Sequence, residues 1–357
     1  SNMGGGLMQL VAYGAQDIYL TGNPQITFWK VVYRRCTNFA IESVEQTFMG
    51  NATAGSRATA TISRNGDLVS NCVLEVNVTQ NAAGPLSTAG MHALVESVEV
   101  EIGGQKIDKH YSAWLQIWNE LSNAHFGPQN DDSAPVVSGY GKVIGSALDS
   151  NAAETHYIPL VFWFNRNPGL ALPLIALQYH EVKFNFQFAP VAALQVHNTN
   201  TATVNSIKMF VDYIYLDTEE RRRFAQQSHE YLIDQLQYTG AVSRTAGTGG
   251  MQSLRLDFNH PCKELLWVER QTTRAAATGF PTDFVEVGGT QGSSALLQLN
   301  GHDRFAKRPM SYFTRVQPMQ HHTNVPAGDR IGVYSFGLRP EDHQPSGTCN
   351  FSRIDNA

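Results

Sequence analysis

Twelve histidines are spread along the 357 residues, and three of them, His302, His321 and His322, fall close together late in the chain. Neutral imidazole is a common metal ligand, so these three with a nearby carboxylate could in principle build a metal centre for hydrolysis or oxygen chemistry. The stretch "YFTRVQPMQHH" reads as a strand, however, and adjacent side chains on a strand point to opposite faces. His321 and His322 therefore do not share one ion, whereas an H-x-H pair could. No G-x-S-x-G elbow, H-E-x-x-H helix or phosphate-cradling G-x-x-x-x-G-K-[ST] occurs. The acid pairs Asp131-Asp132 and Glu341-Asp342 sit in turn-like sequence, where solvated carboxylates are the default. Cys36, Cys72, Cys262 and Cys349 lie far apart and form no C-x-x-C pair, which points to reduced, partly buried thiols rather than zinc ligands or a disulfide framework. N-x-[ST] sequons at Asn51, Asn77 and Asn350 lack the signal peptide that secretory glycosylation requires, so they read as chance occurrences. The residues thus predict no catalytic, metal-binding or cofactor-binding site.

The elements that would have to position any such chemistry are mostly strands. The chain is 42% hydrophobic and 10% aromatic, enough for two cores, but only 16% charged. That balance, with abundant Gly and small polar residues, suits turn-rich β structure and subunits that pack side by side. A net charge of −5 excludes a surface built to coat nucleic acid, which would need clustered Lys and Arg. No apolar run reaches the length of a membrane span, and "GGGLMQLVAYGAQ" lacks the basic start and long apolar centre of a signal peptide. Ser1-Asn2 ahead of Met3 resembles a remnant of protease cleavage and carries no fold signal.

"ATATISRNGDLVSNCVLEVNV" holds two β-prone segments around Asn65-Gly66, which predicts a hairpin. "HALVESVEVEIGGQKIDKHY" predicts a second, turned at Gly103-Gly104. In "YSAWLQIWNELSNAHFG", Trp114, Ile117, Trp118 and Leu121 recur at helical spacing, the pattern of one short helix with a buried stripe. A long polar excursion rich in Gly and Ser follows, from Gly127 to about Asn151, and reads as exposed. "YIPLVFWFN", "LALPLIALQYHEVKFNFQF" and "SIKMFVDYIYLD" are strand-rich and complete a first domain. At "DTEERRRFAQQSHEYLIDQLQ" helix formers replace strand formers, Asp217 or Thr218 could cap, and Arg221 to Arg223 read as a solvated face or an inter-domain salt bridge. The β pattern then resumes in "SLRLDFNHPCKELLWVER", "SSALLQLNGHDRF", "YFTRVQPMQHH" and "RIGVYSFGLRP". The implied architecture is all-β, two consecutive sandwiches or jelly rolls with short helical insertions and a helical linker. Its divisions are an N-terminal segment 1–24, a first domain 25–216, a linker 217–237 and a second domain 238–357.

Four blocks carry a family resemblance: "LVAYGAQDIYLTGNPQITFWKVVYRRCTNFAIES", "IGGQKIDKHYSAWLQIWNEL", "NHPCKELLWV" and "LQLNGHDRF…YFTRVQPMQHHTNVP…VYSFGLRPEDHQPSGTCNFSRIDNA". Over nearly the whole chain these resemble the major capsid proteins of nucleocytoplasmic large DNA viruses, in the branch of the algal and amoebal giant viruses. The resemblance implies a double jelly roll and a structural role without enzymatic activity. It also implies a homotrimer forming a pseudo-hexagonal capsomer of an icosahedral shell, with neighbouring capsomers and minor capsid proteins as partners. The subunit would belong to the virion and assemble in the host cytoplasm, its inner face near an internal viral membrane and without direct nucleic-acid contact. By the same resemblance the loops 127–151, 245–250 and 272–292 face outward and the segment before Pro24 lies on the inner side. Family members carry further strands beyond the equivalent of "SRIDNA"; if the polypeptide ended at Ala357, its second domain is expected to be looser than its first and the chain to trimerise poorly unless another segment covers the edge. Two alternatives remain open on the residues alone. One is a cupin-like metal-dependent enzyme using His302, His321 or His322; the other is a carbohydrate-binding β-sandwich for host attachment, with Tyr140 as its exposed aromatic.

Overall fold

The computed structural model describes residues 14–26, 28, 35–80, 90–123, 143–144, 153–194, 202–243, 252–270, 273–274, 277–278, 284–285, 287, 293–326 and 328–357. The chain divides into two units, Ser1–Asn38 and Phe39–Ala357. In the first, Asp17 stands at the N-cap position of the short helix α1 (Ile18–Thr21) without a side-chain hydrogen bond to it, and Ile18, Tyr19 and Leu20 are exposed.

The second unit begins with a sandwich of two antiparallel sheets. One is ordered β1 (Phe39–Gln46), β10 (Ala202–Leu216), β4 (Leu68–Gln80), β7 (Ala153–Pro159), with β8 (Leu172–Pro173) also on β4. The other is ordered β2 (Phe48–Met49), β3 (Arg57–Thr61), β9 (Val182–Phe188), β5 (Val95–Ile102), β6 (Gln105–Tyr111). Period-two patterning puts the core between them. In β9, Val182, Phe184, Phe186 and Phe188 are buried while Lys183, Asn185 and Gln187 point outward. They meet Cys72, Leu74, Val76 and Val78 of β4 and Met209, Val211 and Tyr213 of β10 in one apolar cluster. Each such side chain contributes about 1.5–3 kcal/mol on burial.

The Gly103-Gly104 hairpin forms as the sequence implies: both glycines have positive φ, +60° and +82°, and Ile102 pairs with Gln105. The hairpin expected at Asn65-Gly66 does not. β3 and β4 lie in opposite sheets, and the chain between them arches over the edge of the core. Gly66 serves close packing instead of turning: a Cβ there would meet the Tyr213 side chain at 2.8 Å. Tyr213 is fully buried and its hydroxyl donates to Ser63 O at 2.6 Å, so the ring itself fixes the arch.

The linker differs from its expected form as well. Helix α4 (Thr218–Gln226) stops at Gln226, and 227–243 run without helix or strand. The segment is held by groups outside itself: Tyr231 Oη donates to Ala171 O, Gln235 Nε2 to Ile107 O, and Leu236 N to Asp108 Oδ1 at 3.1 Å. These bonds replace the i→i−4 ladder that a longer helix would have made. Of the arginine triplet, Arg221 reaches Asp67 at 3.0 Å and Arg223 lies 3.6 Å from Glu220.

After the linker, β12 (Glu264–Arg270) lies between β15 (Phe284–Val285) and β20 (Ile331–Ser335). Short ladders surround it: β11 (Pro261–Cys262) with β21 (Cys349–Asn350), β13 (Thr273–Arg274) with β14 (Ala277–Thr278), β16 (Ser294–Ala295) with β19 (Arg308–Pro309), and β17 (Gln298–Leu299) with β18 (His302–Asp303). One face carries an aromatic cluster of Trp267, Phe305, Phe313 and Tyr334. The strand expected over "YFTRVQPMQHH" is instead helical, a π-turn at Tyr312–Val316 continuing into α5 (Gln317–His321). Its buried positions, Phe313, Thr314, Gln317 and Pro318, follow a helical spacing that polarity alone concealed. Gln317 fixes the choice: its amide donates to Tyr312 Oη at 2.8 Å and its carbonyl accepts from Ser335 N at 3.0 Å.

Candidate functional site at the junction of the two β modules

The helix predicted around Trp118 forms as α2 (Ser112–Ser122), and it serves two cores. Leu115 and Trp118, three positions apart, pack into the first sandwich. Ile117 and Leu121, four apart on another face, join Phe284, Ile331 and Val333 of the second module. Asn324 secures the helix end, its backbone N–H donating to Leu121 O at 2.9 Å and its side chain to Glu120 O at 2.8 Å. Those carbonyls have no partner inside the helix, so the second module supplies one.

Beside this apolar contact lies a charge network. The short helix α3 (Trp163–Arg166) ends in Arg166, whose guanidinium sits 4.0 Å from the centre of the Trp118 ring and donates through Nε to Val161 O at 2.8 Å. Arg166 faces Asp234 of the linker at 4.0 Å, and Asp234 accepts from Lys263 Nζ at 3.0 Å. Lys263 also donates to the backbone carbonyl of Asp342 at 2.8 Å, and His343 Nδ1 lies 3.7 Å from Asp234. Burial lowers the Arg166 pKa, opposed by Asp234, Asp108 and Glu264. On the first module, Asp108 lies 2.9 Å from His110, where burial outweighs the carboxylate and lowers the imidazole pKa. A cleft of about 250 Å³ opens beside the network, lined by Trp163, Arg166, Pro168, Asp234, Glu341 and His343 among others.

His322 is the most enclosed member. Its side chain is 0% exposed; Nε2 lies 2.9 Å from Glu264 Oε2 and Nδ1 2.9 Å from Glu341 Oε1. Burial alone would lower its pKa, but the two carboxylates raise it to about 9, so the ring is an imidazolium with both N–H groups donated. Glu341 also accepts from Thr323 N at 3.0 Å; although burial opposes it, these bonds hold its pKa below the ordinary value. Each charge here has an opposite charge or a hydrogen-bond partner, and no activated nucleophile is present in the set. The arrangement locks elements together.

The three histidines singled out by sequence do not converge. His302 is exposed on β18, His321 Nδ1 lies 2.9 Å from Leu338 O, and His322 is held by its two carboxylates. Among the described residues no three His, Cys, Asp or Glu side chains are grouped to hold a metal ion. The reading of Glu341-Asp342 as solvated acids needs correction, since Glu341 is half-buried against His322. Glu264, Asp234 and Arg166 were not legible as a site, because their partners come from distant parts of the chain and form no local motif. Asp131, Asp132, Tyr140 and the loops 127–142, 145–151, 245–250 and most of 272–292 lie outside the described residues. Among the described residues no helix is long and apolar enough to cross a membrane.

Two family models cover the chain. That of the major capsid protein N-terminus matches residues 27–217, and that of the large eukaryotic DNA virus major capsid protein matches 220–357. The major capsid protein of Pyramimonas orientalis virus is 52% identical over 386 aligned residues, covering 99% of this chain and 91% of that protein. Among solved structures, the crystal structure of PBCV-1 VP54 matches with a TM-score of 0.77 and 41% identity, over 92% of this chain and 85% of that one. A quasi-atomic model of the PBCV-1 virus capsid matches with a TM-score of 0.74, at the same identity and coverage. The two β modules are thus consecutive jelly rolls of a structural capsid subunit, and the chain belongs to the major capsid proteins of the large eukaryotic DNA viruses.

Proposed function

We propose that this capsid protein assembles as a homotrimer into a pseudo-hexagonal capsomer that tiles an icosahedral shell together with neighbouring capsomers and minor capsid proteins. The supporting observation is the pair of β modules within one chain, braced by α2 and the Arg166, Asp234, Lys263 and His322 contacts. Three such chains supply six wedges of one class, which gives a six-cornered outline from a threefold oligomer. In this reading residues 1–24 form an inner arm, 25–216 and 238–357 the two wedges, and 217–237 their link. The loops 127–151, 245–250 and 272–292 face outward. The net charge of −5 supports a subunit that does not contact nucleic acid directly; in the same reading its inner face lies near an internal viral membrane. Assembly takes place in the host cytoplasm. Native mass spectrometry of the purified protein tests the oligomer: a species of three times the 39.4 kDa chain mass is expected, with a six-cornered outline by electron microscopy. A monomer or dimer as the sole species at micromolar concentration overturns it.

A further inference from the structure

Cys262 and Cys349 are far apart in sequence but directly opposite each other where β11 pairs antiparallel with β21. The same register places His260 opposite Phe351, and Phe351 N donates to His260 O at 3.1 Å. Hydrogen-bonded and non-bonded pairs alternate along an antiparallel ladder, so Pro261, which has no N–H, falls at a non-bonded position and Cys262–Cys349 at a bonded one. Cα atoms of such a pair are about 5.5 Å apart, within the roughly 4.4–6.8 Å that a disulfide spans, but Cβ atoms at a bonded position are about 5.5 Å apart against the roughly 3.5–4.5 Å of a disulfide, so the two short strands must close by about 1 Å for the bond to form. Directly opposite side chains also share one face of the ladder. Both thiols are free and half-buried. Cys72 is buried within the first core, and Cys36 belongs to the other unit of the chain.

We propose that Cys262 and Cys349 are a latent cross-strand disulfide site, closed by thiol–disulfide exchange with a small disulfide of the glutathione class. One cysteine loses its proton to solvent and its thiolate attacks the glutathione S–S bond, expelling a glutathione thiolate and leaving a mixed disulfide. The second cysteine, likewise deprotonated, attacks the protein sulfur of that mixed disulfide and expels the other glutathione. Two protein thiols are oxidised by two electrons, one glutathione disulfide is reduced to two glutathiones, and the leaving thiolates take up the two protons. The bond would staple the segment after β21 to the strand it already contacts through Ser352 Oγ, which accepts from His260 N at 2.7 Å. Burial, with Cys349 adding to it, pushes the Cys262 thiol up to about 11, and burial also raises Cys349. Exchange is therefore slow at neutral pH and accelerates as the thiolate fraction grows.

The test incubates the full chain with glutathione disulfide at mildly alkaline pH, quenches by alkylation and maps the peptides by mass spectrometry. The expected product joins the Cys262 and Cys349 peptides, with alkylation of both falling at least about tenfold while Cys72 stays reduced. In C262S and in C349S the remaining cysteine should stop at a single glutathione adduct. Amide exchange of residues 349–352 should slow by at least about tenfold in the oxidised wild type, since opening now requires a wider unfolding. Three results would overturn the proposal: glutathione on both cysteines without a link, a link to any other cysteine, or equal linkage in concentrated guanidinium, where the ladder no longer aligns the thiols.

Discussion

The imidazolium of His322 should make the protein lose stability in alkali. Its pKa rises from 6.5 to about 9 on folding, because Glu264 and Glu341 grip both nitrogens strongly enough to overcome burial. A raised folded pKa means the folded state binds the proton more tightly. The contribution is complete below the unfolded value and disappears as pH climbs through the folded one. A difference of about 2.5 units at 1.36 kcal/mol each gives about 3 kcal/mol, nearly all of it lost between about pH 6 and pH 9. That is a sizeable part of the 5–15 kcal/mol typical of a domain. Urea unfolding followed by Trp fluorescence at several pH values reads the loss directly. His322→Gln keeps a hydrogen-bonding side chain of similar size but cannot titrate, so it should be less stable than wild type at about pH 6 and nearly equal at about pH 9. Taking the difference between the two proteins removes other groups that titrate in this range. A wild-type curve that stays level from about pH 6 to 9, or an equal slope in His322→Gln, would refute the reasoning.

Two further substitutions probe the packing. Leu121 is fully buried in the apolar contact between α2 and the second module, so Leu121→Ala should cost about 2–5 kcal/mol and speed amide exchange in β20 more than in β9, read by hydrogen-exchange mass spectrometry. Gly332 lies directly beneath the Trp267 indole with no room for a Cβ, so Gly332→Ala should cost about 1–3 kcal/mol or more by thermal unfolding, whereas most surface glycine replacements would not.

What could be read in advance depended on whether the deciding interaction was local. The 95–111 hairpin was legible because Gly103-Gly104 carries its own turn geometry in adjacent residues. The arch at Asn65-Gly66 has an equally good turn dipeptide, yet Tyr213, far along the chain, occupies the space above Gly66 and the strands part into different sheets. In the same way "YFTRVQPMQHH" has strand formers, but Gln317 bonding to Ser335 and Phe313 packing on Trp267 override that preference. α2 was found from its spacing; that its stripe divides between two cores was not, since periodicity locates a buried face without saying what covers it. The clamp on His322 left no trace, as Glu264, His322 and Glu341 are joined only by the fold.

A chain with few charged residues spends several of them at this junction, although desolvating a charge is costly and apolar side chains of similar volume often hold as well or better. Direction offers a physical reason. The contact of Ile117 and Leu121 with Ile331 and Val333 is non-directional and tolerates sliding, whereas an imidazolium gripped at both nitrogens fixes position and angle together. In the proposed capsomer that angle matters, since an error between two wedges would be repeated around it. Replacing the trio together, as Glu264→Met, His322→Leu and Glu341→Met, removes the desolvation cost along with the orientation. Thermal stability should then be unchanged or higher by about 1–4 kcal/mol, while small-angle scattering shows a broader spread of inter-module distances and the yield of the proposed trimer falls. If the triple variant trimerises as well as wild type with an equally narrow distribution, the ion cluster does not set the angle and the apolar contact alone is sufficient.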